Sequence, residues 1–200
     1  MCGIAGYHGK NIAPEKAADY LSRMVAALRH RGPDGEGILL RGDTGLAHTR
    51  LSIVGLPDGA QPMTKEEVGL AVSFNGEIFN YVELRDDLKA RGHRFRTTSD
   101  TEVLLASYAA KGLDCLADFN GDFAFALHDA RTKTLVLARD RMGVRPLFYA
   151  EHDGALFFSS EIGGLLALPG MAPQIAPVAL DQIFTLWRPI PPRTASRGIP

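Results

Sequence analysis

A cysteine follows the initiator methionine directly, and a glycine follows the cysteine, in Met1-Cys2-Gly3. A methionine ahead of so small a side chain is normally removed, which makes Cys2 the first residue. That residue then carries a thiol of pKa about 8.5 and a free α-amine of pKa about 7.7–8.0, a few ångströms apart. The thiol is a strong nucleophile and the amine a base poised near neutral pH, the minimum set for covalent catalysis. The alternative is an incidental second residue with no chemistry, so the rest of the chain must decide.

Three further stretches bear on that choice. Arg50 leads Leu51-Ser52-Ile53-Val54, and its planar guanidinium suits two parallel hydrogen bonds to a carboxylate; equally it is a solvated surface arginine. Asn75-Gly76-Glu77 offers a side-chain amide and a backbone N–H side by side, which could stabilise an oxyanion. The same Asn-Gly pair is also the commonest two-residue hairpin turn. Asp100 is either an acid favoured by the dipole of a helix first turn or a holder of an ammonium group.

Other chemistries find no support. The chain has no His-Glu-x-x-His and no Cys-x-x-Cys pair, which argues against zinc, and no Gly-x-x-x-x-Gly-Lys-Ser/Thr phosphate loop. Gly32-Pro33-Asp34-Gly35-Glu36-Gly37 is glycine-rich, but its proline and acids argue against dinucleotide binding. The six histidines show no ligand spacing, so no metal is expected.

These residues need elements to hold them. Ile4 to Tyr7 reads as a buried strand with Cys2 at its mouth. Pro14 opens a helix whose Ala17, Leu21, Met24, Val25 and Leu28 share one face, and Gly32-Pro33 ends it. Short strands are expected at 38–40, 46–48, 51–54, 70–74, 123–128, 135–138, 147–149 and 156–158, with residues 55–63 as loop. Helices are expected over 81–90, from Ser99-Asp100-Thr101-Glu102, a capping-box pattern, to Lys111, and from Glu161 to Leu168. Arg188-Pro189-Ile190-Pro191-Pro192-Arg193 reads as an extended linker. Many antiparallel strands with few helices predict an α+β fold with two sheets.

Composition sets the frame. Two hundred residues fit one domain, with 46% hydrophobic and 22% charged residues and a net charge of −1 of mixed sign. No nucleic-acid surface is expected from such a balance. Neither a membrane-spanning run nor a basic-then-apolar start occurs, so no membrane partner and a cytoplasmic location are expected. Of the two cysteines, Cys115 reads as a small buried apolar residue rather than a disulfide partner.

Taken together and in order, these motifs resemble the glutaminase domain of asparagine synthetases, class II glutamine amidotransferases with an N-terminal-nucleophile fold. The resemblance rests on Met1-Cys2-Gly3-Ile4, Arg29-His30-Arg31-Gly32-Pro33-Asp34-Gly35, Arg50 to Val54, and Phe74-Asn75-Gly76-Glu77-Ile78. It continues in Thr98-Ser99-Asp100-Thr101-Glu102, Asp122 to Ala126, Arg139-Asp140-Arg141-Met142-Gly143 with Arg145-Pro146-Leu147, and Ser159-Ser160-Glu161-Ile162. It spans about Met1 to Leu168. Two departures stand out: Phe79 replaces the family's usual tyrosine, and Gly163-Gly164 weakens a helix.

The resemblance implies a four-layer αββα sandwich of two antiparallel sheets flanked by helices. Residues 1–187 would be the glutaminase domain and residues 188–200 the start of a linker toward an absent synthetase domain. Cys2 would be the nucleophile with its own α-amine as base, and Asn75 and Gly76 the oxyanion hole. Arg50 would grip the α-carboxylate of L-glutamine, Glu77 and Asp100 its α-ammonium, and Leu51, Ser52, Ile53 and Val54 would line the pocket. The Arg29–Gly35 loop is assigned no chemical step. No cofactor is implied in this domain; ATP and Mg2+ are implied in the absent one, where a carboxylate, aspartate by the family's name, would receive the ammonia. A homodimer is compatible with the resemblance. Two competing readings are a non-catalytic domain of the same fold that packs against a synthetase partner, and a glutaminase domain serving another acceptor.

Overall fold

A computed structural model describes residues 1–10, 12–52 and 59–200. Two antiparallel sheets face each other. The first has strand order β2-β3-β1-β9-β8, with β1 (Gly3–His8), β2 (Gly35–Arg41), β3 (Thr44–Arg50), β8 (Phe148–His152) and β9 (Ala155–Ser159). The second has order β4-β5-β6-β7, with β4 (Met63–Lys65), β5 (Leu70–Ile78), β6 (Gly121–Asp129) and β7 (Thr134–Arg139).

Side-chain alternation along the strands builds four layers. Ala5, Tyr7, Ala47 and Phe157 face α1 (Pro14–Leu28), burying Tyr20, Leu21, Met24, Val25 and Leu28 on its inner stripe. Each such side chain contributes about 1.5–3 kcal/mol of hydrophobic free energy when fully buried. Val72, Phe74, Phe123, Phe125 and Leu127 face the other way, onto Leu104, Leu105 and Tyr108 of α3 (Asp100–Lys111). α2 (Tyr81–Ala90) packs on α3 through Leu88, Val103 and Ala106. Between the sheets lie Leu46, Ala71, Ala126 and Phe158. The α+β, two-sheet expectation and the flanking helices are therefore observed.

Several local readings change. Asn75-Gly76 is no turn: it continues β5, paired with Ala124 and Phe123 of β6. The capping box is half formed. Ser99 caps α3 by accepting from Thr101 N–H at 3.1 Å, but Glu102 reaches back to Arg96 N–H and Thr97 N–H, at 2.9 and 2.7 Å, and pins the preceding loop. Among the strands and α-helices, the three-residue β4 and α5 (Pro177–Leu186) were not anticipated, nor were the short 3-10 turns Glu66–Val68 and Gly112–Ala117. Of the expected strand at 51–54, Leu51 and Ser52 are irregular and Ile53 and Val54 lie outside the described residues. Gly164 lies in α4 (Ile162–Leu166), and a β-carbon there would collide with the Ser159 side chain, so glycine permits α4 to seat on β9. Residues 188–200 turn back on the body: Ala176 N–H donates to Ala195 C=O at 2.9 Å and Ile199 is buried.

One polar pair crosses the inter-sheet layer. His48 Nδ1 lies 3.1 Å from Ser73 Oγ, whose hydroxyl donates to Ala47 C=O at 2.9 Å. Ser73 therefore accepts from an Nδ1–H. Burial, reinforced by Arg50, lowers the His48 pKa to about 3. Below about pH 6.5 the unfolded chain binds a proton at His48 that the folded chain refuses, so this term removes stability as pH falls toward 3. The slope is at most about 1.4 kcal/mol per pH unit, or roughly 3–5 °C in melting temperature for a chain of this size. Melting curves from pH 7 to 4 should therefore be flatter for His48→Gln than for the wild type; parallel curves contradict the assignment.

Candidate active site

The register of the first sheet assembles half of the site. Gly6 pairs with Leu46 and Ile4 with His48, all on the inter-sheet face. One step further along that register sets Cys2 opposite Arg50, at the same end of the same layer. On the facing sheet Ala71, Ser73, Asn75 and Glu77 alternate onto that layer and end at the same mouth. One cavity of about 70 Å³ collects Cys2, Arg50, Leu51, Asn75, Gly76, Glu77 and Asp100, together with Met1, Gln61 and Arg145. Of the remaining expected residues, Ser52 does not line it, and Ile53 and Val54 lie outside the described residues.

Cys2 is held through its backbone and its sulfur. Leu51 N–H points at Sγ from 3.3 Å, and Sγ lies 3.5 Å from Leu51 C=O. Arg31 Nε donates to Cys2 C=O at 2.9 Å, while Arg31 Nη1 donates to Glu161 Oε1 at 2.7 Å. Arg31 is buried, and burial alone would raise the pKa of Glu161; hydrogen bonds from Arg31 and His30 outweigh it and hold the carboxyl below its usual range. Asp34 adds to the same frame by accepting Ser52 N–H at 2.8 Å. The 29–35 loop thus shapes the surroundings of Cys2. The pairing of Arg31 with Glu161 escaped sequence reasoning because the two are 130 positions apart and follow no periodicity.

Asn75 and Gly76 line the same cavity as Cys2. Asn75 is 2% exposed, and its Nδ2 has no hydrogen-bond partner among the described residues. Ladder alternation in β5 turns the N–H of Phe74, Gly76 and Ile78 away from β6. Phe74 N–H is taken by Gln61 and Ile78 N–H by Asp100 Oδ2 at 3.1 Å, which leaves Gly76 N–H between them at the cavity. Gly76 is also tight against β6, where a β-carbon would overlap the backbone of Asp122 and Phe123. An amide NH2 and a backbone N–H converging on one cavity can hold a developing oxyanion.

Asp100 begins α3 and is 4% exposed. Burial raises its pKa; the N–H groups of Ile78 and Thr101 oppose the rise, and nearby Glu77 adds to it. A buried carboxylate with a like charge beside it is a place prepared for a cation. Arg145, which sequence reasoning gave no role, reaches the cavity and donates from Nη1 to Met1 Sδ. Asp140 fixes its loop by accepting Val144 and Arg145 N–H at 2.9 and 3.0 Å. Among the described residues no group of three or more His, Cys, Asp or Glu could hold a metal ion, and no helix is long and apolar enough to cross a membrane.

A two-sheet αββα sandwich with a cysteine just ahead of its first strand is the fold of the N-terminal-nucleophile amidotransferases. Glutamine phosphoribosylpyrophosphate amidotransferase from B. subtilis, complexed with ADP and GMP, superposes with a TM-score of 0.69 at 24% identity, covering 88% of this chain and 46% of that one. The chain belongs to the glutamine amidotransferase domain family, whose model matches residues 1–200. Among curated relatives, "Asparagine synthetase [glutamine-hydrolyzing] 3" of Bacillus subtilis is 40% identical over 203 residues, covering 100% of this chain and 32% of the relative. "Probable asparagine synthetase [glutamine-hydrolyzing]" of Dictyostelium discoideum is 43% identical over 164 residues, covering 81% of this chain and 29% of the relative. The chain therefore spans about a third of the relatives it matches.

The electrostatics of Asp100 give a stability test. Its raised folded-state pKa means that folding buries a charge at a cost, complete above that pKa. The cost fades as pH falls from the raised value to about 3.9, below which both states are protonated. Asp100→Asn should therefore melt higher than the wild type at pH 7, and the gap should close toward pH 4. A variant that melts lower at pH 7 contradicts this reading.

Proposed function

We propose that this chain hydrolyses L-glutamine to L-glutamate and ammonia through a thioester on Cys2. One observation carries the proposal: a thiol, the unpartnered Asn75 amide beside the Gly76 backbone, a guanidinium, the buried Asp100 carboxylate and the half-buried Glu77 line one cavity. Glutamine has a carboxamide at one end and opposite charges on one carbon at the other. Arg50 answers the α-carboxylate, and Asp100 with Glu77 the α-ammonium, which also relieves the like-charge strain between the two acids. The carboxamide carbon then lies toward Sγ and its oxygen toward Asn75 Nδ2 and Gly76 N–H.

Removal of Met1 does two things in this reading. It frees the Cys2 α-amine, and it enlarges a cavity whose free space is far below the roughly 300 Å³ of ordinary small-molecule pockets. The α-amine takes the thiol proton as sulfur attacks, and the same proton passes to the departing nitrogen as the C–N bond breaks and ammonia leaves. A water, deprotonated by the same amine, then opens the thioester to glutamate. Only a few per cent of a free cysteine is thiolate at neutral pH, so a built-in base matters. Each oxyanion donor is worth about 10²–10³ in rate.

The names of the relatives support a wider assignment. Residues 1–187 are the glutaminase domain, and residues 188–200 start the connection to a synthetase part, where ATP with Mg2+ activates a carboxylate, aspartate by those names, to receive the ammonia. A cytoplasmic location is consistent with Cys2 and Cys115 both being free thiols.

Purified chain should show an intact mass lacking one methionine and should release ammonia from glutamine. Cys2→Ala should keep its circular dichroism and lose that activity entirely; full activity in this variant ends the proposal. Arg50→Ala should weaken glutamine binding by about 2–5 kcal/mol, the cost of leaving a partner charge unpaired in a dry site. A wild-type chain that binds no glutamine in calorimetry favours the non-catalytic alternative.

A further inference from the structure

Gln61 lines the cavity, and the chemistry above gives it no part. Its carboxamide is fully engaged with one residue of β5. Oε1 accepts Phe74 N–H at 2.7 Å, and Nε2 donates to Phe74 C=O at 3.0 Å. Those are the two bonds that a neighbouring strand would make. β4 is that neighbour only as far as Met63, which pairs with Val72. Two residues before Met63 the side chain of Gln61 takes over from the backbone, and the ladder is continued by an amide that mimics a peptide.

The consequence falls on the oxyanion donors. Along the open edge of β5, Gln61 caps Phe74 and Asp100 caps Ile78, each with a charged or amide group. Gly76, midway between, keeps its N–H for the cavity. Were β4 to begin four residues earlier, at Gly59, its backbone would pair with Gly76 and close the mouth. Were Gln61 apolar, the Phe74 peptide would lose both partners, and the strand could tilt to reach water. Gln61 is itself fixed from the other sheet: a β-carbon on Gly37 of β2 would overlap the Gln61 carbonyl, so the two backbones lie in direct contact.

We propose that Gln61 is a positioning residue for the oxyanion pocket, holding the Phe74–Gly76 segment so that Asn75 Nδ2 and Gly76 N–H stay aimed at the cavity. The proposal rests on the glutaminase reading above. Gln61 touches no reacting atom; it acts through Phe74. The two donors are worth most to the charge that forms in the transition state. Displacing them slows the chemical step and leaves the contacts of Arg50 and Asp100 with the substrate's α-carbon untouched.

The test compares the Met1-processed wild type with Gln61→Met, which keeps length and bulk but neither hydrogen bond, and Gln61→Glu, which keeps the acceptor for Phe74 N–H and sets a carboxylate against Phe74 C=O. Read out are kcat and KM for glutamine, calorimetric binding of glutamate, and thermal melting. Both variants should lose about 10–100-fold in kcat, with KM and glutamate affinity within about threefold of the wild type. A kcat within about threefold of the wild type in either folded variant, or a loss confined to KM, overturns the positioning role alone and leaves the glutaminase reading intact. Loss of the fold in both variants makes Gln61 a folding residue and also overturns the role. A wild type that releases no ammonia overturns the glutaminase reading, and this inference with it.

Discussion

The structure depends on the spacing of two sheets that meet across a thin layer of side chains. Cys2 precedes the first strand of one sheet and Asn75 and Gly76 belong to the other, so the cavity they share is not set within a single element. Stacked sheets ordinarily lie about 10 Å apart. Here the layer between them mixes small residues, Gly6, Ala71, Ser73 and Ala126, with the bulk of Ile4, Leu46, His48 and Phe158, and Leu39, Leu135, Leu137 and Leu147 pack against it. The His48–Ser73 bond adds a directional contact across that layer. A purely apolar layer would resist separation but not sliding. The polar pair resists sliding as well, which matters when donors must meet an oxygen within a few tenths of an ångström.

Charge is treated in two ways in this fold, and the difference separates scaffold from site. Arg31 satisfies a carbonyl and a carboxylate at once, Asp140 accepts two backbone N–H groups of its own loop, and Asp129 forks onto Arg131. The carboxyls in these arrangements are held below their ordinary range. The Asp100 carboxyl is pushed up instead, because burial outweighs the backbone donors of Ile78 and Thr101 and its neighbour Glu77 has the same sign. A protein that wanted only stability would replace such a group. Retaining it makes sense if a cation arrives from outside, and the same reasoning covers the buried, unpartnered Asn75 amide.

Much of this was legible in the amino-acid sequence, for reasons that differ by residue. α1 and α2 announced themselves through apolar spacing between turn residues, and β6, β7, β8 and β9 through apolar and aromatic runs. Asn75-Gly76 sent the opposite signal from its observed strand conformation, since local turn preference favours a hairpin there. The pairing of β5 with β6 over nine residues overrode it, because tertiary pairing outweighs a dipeptide preference. Glu102 sits where a capping box needs it but finds better partners in the loop before the helix, and sequence spacing cannot distinguish those uses. β4, three residues long and following a Gly/Pro-rich stretch, carries too little pattern to be read, and α5 hides behind prolines.

Gln61 marks the limit of that legibility. A glutamine in a loop rich in glycine and proline gives no signal in periodicity, charge or motif. Its significance arises only because β4 starts two residues later and leaves one peptide of β5 without a neighbour. The strand that carries the oxyanion donors must be regular enough to fix them and uncovered enough to expose one N–H. Those demands conflict, since a regular strand is one whose edge is paired. The conflict is resolved by capping β5 with side chains at alternate residues, Gln61 on Phe74 and Asp100 on Ile78, so that order is kept on both sides of Gly76 and withheld only there. An edge treated this way suits a binding site, because a backbone N–H turned into a partly buried cleft beside the unpartnered Asn75 amide favours whichever acceptor the cleft admits.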